Sequence, residues 1–331
     1  FAFIAPIIMV KEKYGDIRYS LGGIVVAGTV YLIFSLIVKL VGTDIIKKLF
    51  PPVVTGPMIM VIGLGLSPVA VNMASSNWPI AFVVIITVIA SATVFKGFFS
   101  LIPVLIGVVV GYITSALSGI VDYLPIINSA WISIPNFILP KFDWGAISLI
   151  APVAFVTVME HIGDITTNGA VVGKNFFEKP GIHRTLLGDG LATMLAALIG
   201  GPANTTYSEN TGVLAITKVY DPSILRGAAF IAMIIAFFSK FGSVLQTIPT
   251  AVIGGVSLIL FGMIASIGVR TLVEAKVDFS KSRNLIIAAL ILTLGIGGAS
   301  VKIGSIELKG MALAAIVGII ANLVIPEKLE K

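Results

Sequence analysis

Residues 204–220 read Asn-Thr-Thr-Tyr-Ser-Glu-Asn-Thr-Gly-Val-Leu-Ala-Ile-Thr-Lys-Val-Tyr, and this polar run interrupts a chain that is otherwise apolar. An ionisable group at bilayer depth costs at least about 2.5–3.5 kcal/mol on insertion scales, so Glu209 indicates a substrate or ion path. The Thr-Thr-Tyr-Ser stretch favours extended backbone, and Glu209 can begin a helix. An extended break followed by a half-helix is how many transporters build a site near the middle of the membrane.

The composition predicts an all-α polytopic membrane protein. Hydrophobic residues make up 57% of the 331 residues, charged residues 11%, and the mean hydropathy is +1.08. A soluble domain has about 25% charged residues. The net charge of +6 comes from basic residues in short loops and does not indicate nucleic-acid binding. With no cysteine, and two histidines that are not at ligand spacing, we expect no metal and no cofactor.

Several of the apolar spans are too short to cross a membrane, which needs about 20 helical residues. The first, which opens at Phe1, and 209–217 are the shortest, and both begin near aromatic residues. Two short, interrupted spans in corresponding places predict an inverted repeat with a site between them, although in a soluble protein both would be ordinary strand-to-helix junctions. Pro6 suits a first helical turn. The spans run over about 1–10, 19–41, 51–72, 79–95, 99–118, 146–172, 185–200, 209–217, 227–247, 248–267, 284–299 and 310–326.

The basic residues in the loops predict the orientation. If the spans alternate in direction, fifteen Lys and Arg residues fall on or near the side of the loop after 209–217, and seven on the other side. The richer side is expected in the cytoplasm. The 122–145 loop, with Trp131 and Trp144 near the interface, is then external. Three glycine pairs are expected to let helices pack closely, namely Gly22-Gly23, Gly254-Gly255 and Gly297-Gly298.

Glu160 and Asp164 are the second candidate group. Their i, i+4 spacing puts both carboxyls on one helical face. The face could already lie at the cytoplasmic surface, but the fourteen residues from Ala146 to Met159 span only about 21 Å of helix, so we favour burial. Desolvation and a second carboxylate nearby allow such a group to bind a proton near neutral pH and release it when its surroundings change. This pair therefore suits a proton-coupled carrier.

Three other titratable residues are predicted to have lesser roles. His161 follows Glu160 but projects about 100° away, so a satisfied packing histidine is favoured over a ligand. His183 is expected in a solvated cytoplasmic loop. Asp189 is expected early in a helix near the membrane surface, with a structural role.

The chemistry around Glu209 suits a planar heterocycle. Its carboxylate can accept two hydrogen bonds from paired N–H groups, while backbone groups near Tyr207 and Ser208, and near Phe1–Phe3, can meet a ligand. A metal ion would need more oxygens, and a phosphate would need Arg or Lys. The chain has no phosphate-loop motif, so we expect no ATP-driven transport by this chain.

Residues 209–218 also resemble the signature of the nucleobase–ascorbate transporter family. The matching positions are Glu209, Asn210, Gly212, Thr217 and Lys218. The resemblance covers essentially the whole chain, and within the family it is greatest to the bacterial permeases for uracil. It rests on stretches such as Phe-Ala-Phe-Ile-Ala-Pro, Leu-Phe-Pro-Pro, Val-Phe-Lys-Gly-Phe, Glu-His-Ile-Gly, Asn-Thr-Thr-Tyr, Gly-Gly-Val-Ser-Leu and Glu-Leu-Lys-Gly-Met-Ala-Leu-Ala.

The resemblance implies a fourteen-span fold of two inverted seven-span repeats, with two short antiparallel strands at the broken helices. Counted that way, this chain lacks the first two spans. The core domain is expected at 1–49 and 145–246, and the gate domain at 50–144 and 247–331. The resemblance also suggests a homodimer through the gate domains.

The resemblance further implies the roles of individual residues. Glu160 and Glu209 hold the edge of the base, and backbone amides at Phe1 and Ser208 assist. Proton coupling is assigned to the Glu160 region, with Asp164 and His161. Tyr207 joins the binding set, and Phe261 stands in the gate span where a tyrosine is familiar. Asp164 replaces a familiar histidine, as in several purine-transporting relatives, and Ser208 replaces a familiar glycine.

Three functions remain open at this point. The first is proton-coupled uracil uptake by alternating access, with a multi-pass chain in the cytoplasmic membrane. The second is a xanthine or uric acid:proton symporter, which Asp164 motivates and Glu209 argues against. The third is an anion exchanger of the related sulfate-transporter fold, which two carboxylates in the pocket disfavour. An enzyme is not expected, because the sequence shows no nucleophile–base pair.

Overall fold

The computed structural model describes residues 2–207, 209–303 and 306–326. It is predominantly helical, as predicted. The helices are α1 (Ile4–Tyr14), α2 (Arg18–Val41), α3 (Asp44–Leu49), α4 (Pro52–Ser75), α5 (Trp78–Thr93), α6 (Pro103–Leu117), α7 (Leu124–Asn128), α8 (Trp144–Ile150), α9 (Val153–Val172), α10 (Ile182–Leu198), α11 (Glu209–Thr217), α12 (Pro222–Ile235), α13 (Ser239–Gln246), α14 (Thr250–Glu274), α15 (Ser282–Ile296) and α16 (Met311–Val324), with a 3₁₀ turn at Gly97–Leu101 and a π turn at Phe177–Gly181.

Four helical stretches in the described residues are long and apolar enough to cross a membrane. They are α2, α4, the stretch Trp144–Val172 formed by α8 and α9, and α14. Four shorter apolar helices, α5, α6, α15 and α16, match other predicted spans. Pro6 lies in the first turn of α1, as predicted. The repeat and the number of spans stay predictions.

The predicted span 227–247 is wrong as a single helix. The chain breaks after α12 and resumes as α13 at an angle of 86°. Lys240 lies in the first turn of α13, and its ammonium donates to the Ile126 and Ile127 carbonyls at the end of α7. A lysine in an apolar run needs polar partners, and these carbonyls supply them at a bend rather than within a straight helix.

The prediction of strands at the broken helices is also wrong for the described residues. Within the described residues, two strands form an antiparallel hairpin between α15 and α16 instead. They are β1 (Ser300–Ile303) and β2 (Ile306–Lys309), with Ser300 opposite Lys309 and Val301 opposite Leu308. Apolar and polar residues alternate along both strands, which is the period of a half-buried strand. Residues 201–207 form neither helix nor strand, and Phe1 lies outside the described residues.

Contacts within the chain divide it into two units. The first unit comprises the described residues of 1–65, 137–211 and 263–331, and the second comprises 66–136 and 212–262. The predicted core and gate boundaries divide the chain differently and stay a prediction.

The main helix pair of the first unit is α2 with α10. A side chain at Gly190 would lie 2.6 Å from Tyr31 Cβ and 3.0 Å from the Gly28 carbonyl oxygen, so the two backbones are close enough to exclude one. Ser35 of α2 also donates to the His183 carbonyl over 2.6 Å. This pairing brings the polar residues of α10 against α2.

Most of the predicted glycine pairs do support close packing. A Cβ at Gly23 would lie 2.7 Å from Ile150, and one at Gly255 would lie 2.8 Å from the Ala81 carbonyl oxygen. A Cβ at Gly22 or at Gly254 would likewise clash with the backbone of a neighbouring segment. Gly298 is different, because it has a φ of 66° and open space around it. A glycine there allows the left-handed backbone of a turn rather than close helix packing.

Candidate functional site

The polar break that the sequence predicts lies between α10 and α11. Helix α10 ends before Gly200, whose φ of 100° suits a glycine, and Pro202 follows without a backbone N–H. The chain then runs without regular structure to residue 207. Helix α11 begins at Glu209 and ends at Thr217, as predicted. The side chain of Glu209 and all of Ser208 lie outside what the structure describes.

Three threonine hydroxyls fix this break to the neighbouring helices. Thr193 of α10 donates to the Asn204 carbonyl over 2.5 Å. Thr206 donates to Asp189 Oδ2 on α10 over 3.2 Å. Beyond the break, Thr211 is buried and donates to Asn168 Oδ1 on α9 over 2.6 Å. The backbone around Glu209 is therefore held at points on both sides.

His161 is the centre of a buried polar network. Its Nδ1 lies 2.7 Å from Thr206 Oγ1 and 3.3 Å from Asp189 Oδ2. Its Nε2 lies 2.9 Å from Thr185 Oγ1. The ring is 3% exposed, and the Tyr31 ring of α2 meets it edge-on with 6.4 Å between centroids. The expected satisfied histidine is confirmed, and its partners connect α9, α10 and the break.

The two carboxylates of α9 differ in burial. Glu160 is half-buried, and Asp164, one turn later, is 5% exposed. Asn168 follows at the same spacing, so Glu160, Asp164 and Asn168 share one helical face. This is the face that Thr211 contacts at Asn168. The expected burial is confirmed for Asp164 and is partial for Glu160.

The remaining predicted site residues lie outside α9 and α10. Phe1 lies outside the described residues. Tyr207 is 40% exposed, whereas Phe261 on α14 is 5% exposed and belongs to the second unit. The signature residues Asn210, Gly212, Thr217 and Lys218 are exposed, and Thr217 donates to the Val213 carbonyl one turn earlier.

The prediction for Asp189 is wrong in position. It is the eighth residue of α10 rather than an early one, and its side chain is 12% exposed next to His161. An acidic residue inside the apolar stretch 185–200 was the available signal, because such residues usually face polar partners. Thr185, Thr206 and Asn168 carried no comparable signal, since threonine and asparagine are common in loops and helix surfaces.

A separate polar contact joins the last residue of α1 to the residue before α8. Tyr14 donates to Asp143 Oδ1 over 2.5 Å, and this hydrogen bond, with burial and the charge of Asp143, raises the pKa of Tyr14 to about 12. The same bond and the backbone N–H groups of Ala146 and Gly145 lower the pKa of Asp143. Both residues lie beyond the predicted spans, at the predicted external side.

Comparisons with known proteins decide the family. A sequence profile described as "Permease family" matches residues 1–304. The chain belongs to this permease family. The predicted family membership is therefore confirmed, and the chain is an integral membrane protein of a transporter family rather than of an enzyme family.

Several curated relatives cover nearly the whole chain. It is 45% identical to a uracil permease of Bacillus subtilis, over 100% of this chain and 81% of that protein. It is 46% identical to a uracil permease of Bacillus caldolyticus, over 98% of this chain and 79% of that protein. It is 42% identical to a uracil permease of Escherichia coli K12, over 98% and 78% respectively.

Proposed function

We propose that this chain is a uracil transporter of the cytoplasmic membrane, which carries uracil inward with protons by alternating access. The relatives named uracil permease, at 42–46% identity over nearly the full chain, support the cargo. The polar break that is fixed to α9, the helix with two acidic residues, supports the position of the site.

The geometry of the break carries the proposal. Thr206 contacts His161 and Thr211 contacts Asn168, so the chain that contains Glu209 follows about 10 Å of α9 at 1.5 Å per residue. The Glu160–Asp164 face lies along this stretch. A flat base held between α9 and the start of α11 could then place its N–H groups against Glu160 and Glu209.

The two carboxylates suit the chemistry of uracil. Uracil is uncharged, planar and has two N–H donors and two carbonyl acceptors, so carboxylates can accept from its edge while backbone N–H groups donate to its carbonyls. Hydrogen bonds to a charged partner contribute about 1.5–3 kcal/mol each. Proton uptake by the Glu160 region, with Asp164 and His161, would link the proton gradient to the movement of the core and gate domains.

Uptake by proteoliposomes tests this proposal. With an inward proton gradient, radiolabelled uracil should accumulate above its external concentration, and a protonophore should return it to the equilibrium level. Accumulation that is indifferent to the protonophore would remove proton coupling and leave uracil as cargo. A failure to take up or bind uracil in any condition would overturn the proposal.

Asp164 supports one alternative cargo. It is buried on the face of α9 that also carries Glu160, at the position where the uracil group usually has a histidine and several purine transporters have aspartate. Xanthine or uric acid would then be the cargo. A panel of purines should fail to compete with labelled uracil if the first proposal holds, and strong competition by xanthine would favour the second. We propose the uracil function because Glu209 and the Thr-Thr-Tyr stretch match that group.

A further inference from the structure

A cavity of about 540 Å³ in the first unit contains none of the predicted site residues. Its lining includes four basic side chains and one acidic side chain, namely Lys48, Lys276, Lys281, Arg283 and Asp278. The volume is in the range of small-molecule sites. Its chemistry is the opposite of that of the candidate site, where carboxylates predominate.

The cavity lies where several apolar helices begin or end. Helix α14 ends at Glu274 and α15 begins at Ser282, while α4 begins at Pro52 and α16 ends at Val324. The lining residues come from these ends and from the segments joined to them. The ends of apolar helices lie near a membrane surface, and the loop charges predict that this surface is the cytoplasmic one.

Arg283 is fixed in the wall of the cavity by neutral partners. Its Nε donates to the Ile325 carbonyl over 2.8 Å, and its Nη2 donates to the carbonyl and to Oδ1 of Asn322 over 2.7 and 2.9 Å. Asn322 Nδ2 donates in turn to the Lys48 carbonyl over 2.9 Å. These roles are unambiguous, because a guanidinium can only donate and a carbonyl oxygen can only accept. The contacts join α3, α15 and α16 around the cavity.

The positive charge of Arg283 is not compensated within the described residues. None of its partners there is a carboxylate. Its Nη1 has two N–H groups but a single contact in that part of the chain, with Asn284 Oδ1 at 3.5 Å. This distance is at the limit of a hydrogen bond, so Nη1 can still donate to a ligand. A partly buried cation without a counter-ion is unfavourable, and an anion in the cavity would relieve that cost.

The three lysines of the cavity are exposed. Among the described residues, no carboxylate oxygen lies within 4.0 Å of their ammonium groups. Asp278 Oδ1 instead accepts from the backbone N–H and the hydroxyl of Ser280, over 2.9 and 2.7 Å. Lys276 also has a φ of 51°, which suits glycine, so the turn at the end of α14 does not by itself explain a lysine.

We propose that this cavity binds a phosphate group, with Arg283 as a fixed donor and the three lysines as further cations. Phosphate oxygens accept several hydrogen bonds at once, and arginine and lysine are the side chains that proteins use to hold them. The inference concerns a second site and does not rest on uracil as the cargo.

Two sources offer this group. Apolar residues lie beside the cations, including Pro52, Val277 and Leu323, and they suit the glycerol and first acyl carbons of an anionic lipid. Inorganic phosphate or a phosphorylated metabolite presents the same oxygens from solution. Both sources are available at a cytoplasmic membrane surface, so the experiment must distinguish them.

Membrane topology provides a simpler explanation for the lysines alone, because cytoplasmic loops are rich in Lys and Arg. It does not require Arg283 to be held by Asn322, or four cations to line one cavity. The test therefore compares lysines of the cavity with a lysine outside it on the same predicted side.

Native mass spectrometry of the purified protein in detergent makes this comparison. Wild type should bind phosphatidylglycerol in preference to zwitterionic phosphatidylcholine at equal concentration. The double variant Lys276→Gln/Lys281→Gln should bind phosphatidylglycerol about tenfold more weakly. Lys174→Gln is the matched control, since Lys174 is exposed and does not line the cavity, and its affinity should stay within about twofold of wild type.

A variant that gains affinity excludes loss of folding as the explanation. Asp278→Asn removes the negative charge from the lining, while the amide oxygen can still accept from Ser280. Affinity for phosphatidylglycerol or inorganic phosphate should rise about threefold. A damaged protein would not bind more tightly, so an unchanged or lower affinity would contradict the proposal.

Titration with inorganic phosphate at constant ionic strength identifies the source. Phosphate that binds in calorimetry and displaces phosphatidylglycerol indicates a soluble ligand, whereas phosphatidylglycerol that phosphate does not displace indicates a lipid. Either result supports the phosphate site. If neither probe binds wild type more tightly than the double variant, or if Lys174→Gln loses as much affinity as the double variant, the cations serve topology alone and the proposal is wrong.

Discussion

The α2–α10 pair of the first unit and the α5–α6 pair of the second unit use the same packing device for different purposes. In both, glycine lets two backbones approach. Gly28 and Gly190 do so between α2 and α10, while Gly107 and Gly111 of α6 accept Val88 and Val84 of α5. The difference lies in the side chains at the contact between the two helices, which we call the seam.

The α5–α6 seam is mainly aliphatic. Ile80, Val84 and Val88 form a buried cluster with Ala251, Val252 and Val256 of α14, and Val104 and Val108 pack against it. The seam between α2 and α10 instead leads to Tyr31, Asp189 and His161, and we call it the polar seam. Burying polar groups is unfavourable unless each is hydrogen-bonded, so this second arrangement indicates a role beyond stability.

The largest expected effect concerns substrate binding at the end of the polar seam. Glu209→Gln keeps the size of the side chain but replaces one acceptor oxygen with a donor and removes the charge. A loss of about 2 kcal/mol or more, or about thirtyfold in uracil affinity, should follow. Isothermal titration calorimetry of the purified protein measures this change.

An exposed glutamate provides the control for that variant. Glu274 pairs with Arg270 at 2.6 Å on the surface, with its side chain 62% exposed. Glu274→Gln should leave uracil affinity unchanged within about twofold, because exposed ion pairs contribute little. If Glu209→Gln binds uracil as well as the control does, the candidate site is in the wrong place.

A smaller effect should separate the two glycine seams directly. Gly190→Ala brings a methyl group within 2.6 Å of Tyr31 Cβ and 3.0 Å of backbone, so α2 and α10 must move apart. We expect a loss of about 1–3 kcal/mol in stability and, because Asp189 moves with α10, weaker uracil binding. Gly107→Ala brings a methyl group within 2.3 Å of Val88 Cγ2, which is buried and β-branched, so stability should also fall, but no candidate site residue lies on α5 or α6.

The two glycine variants are compared by thermal unfolding and uracil affinity in the same detergent. Gly107→Ala should lower Tm without weakening uracil binding, whereas Gly190→Ala should change both. Equal loss of uracil affinity in both variants would show that general destabilisation, rather than the position of Asp189, controls the site.

Those features of the candidate site that lie within a single helix or at its start could be predicted from the sequence. The start of α11 at Glu209 follows from a polar break before an apolar run, and the helical face of Glu160 and Asp164 follows from their spacing. The clustering of His161, Asp189 and Thr206 could not be predicted. His161 and Thr206 are 45 positions apart, and no local pattern specifies which helix lies against which.

The two errors in the fold have related causes. The break was expected to pair as a strand, but the described contacts that hold it are made by threonine side chains: Thr193 donates to the Asn204 carbonyl, and Thr206 donates to Asp189. At the bend after α12, Lys240 donates to carbonyls at the end of α7, more than a hundred positions away in the chain. In both cases a side chain found its partner on another element.

The smallest expected effect belongs to a polar contact outside both seams, between Tyr14 and Asp143. The hydrogen bond raises the pKa of Tyr14 from 10.0 to about 12, so its stabilisation is fully present below pH 10 and disappears as the pH rises through about 12. Tyr14→Phe should therefore lower Tm by only about 1–2 °C at neutral pH, because the contact is partly solvent-screened, and the difference from wild type should shrink above pH 10.

Asp143 has a lowered pKa, so its contribution should persist above pH 3.8 and decline below that value. Glu12→Gln, at an exposed carboxylate on the same helix, is the control and should leave both pH limbs unchanged. A Tm difference between Tyr14→Phe and wild type that stays constant up to pH 12 would show that the ring packs at this position without using its hydroxyl. This contact would then depend on side-chain packing, as the α5–α6 contact does, rather than on hydrogen bonding.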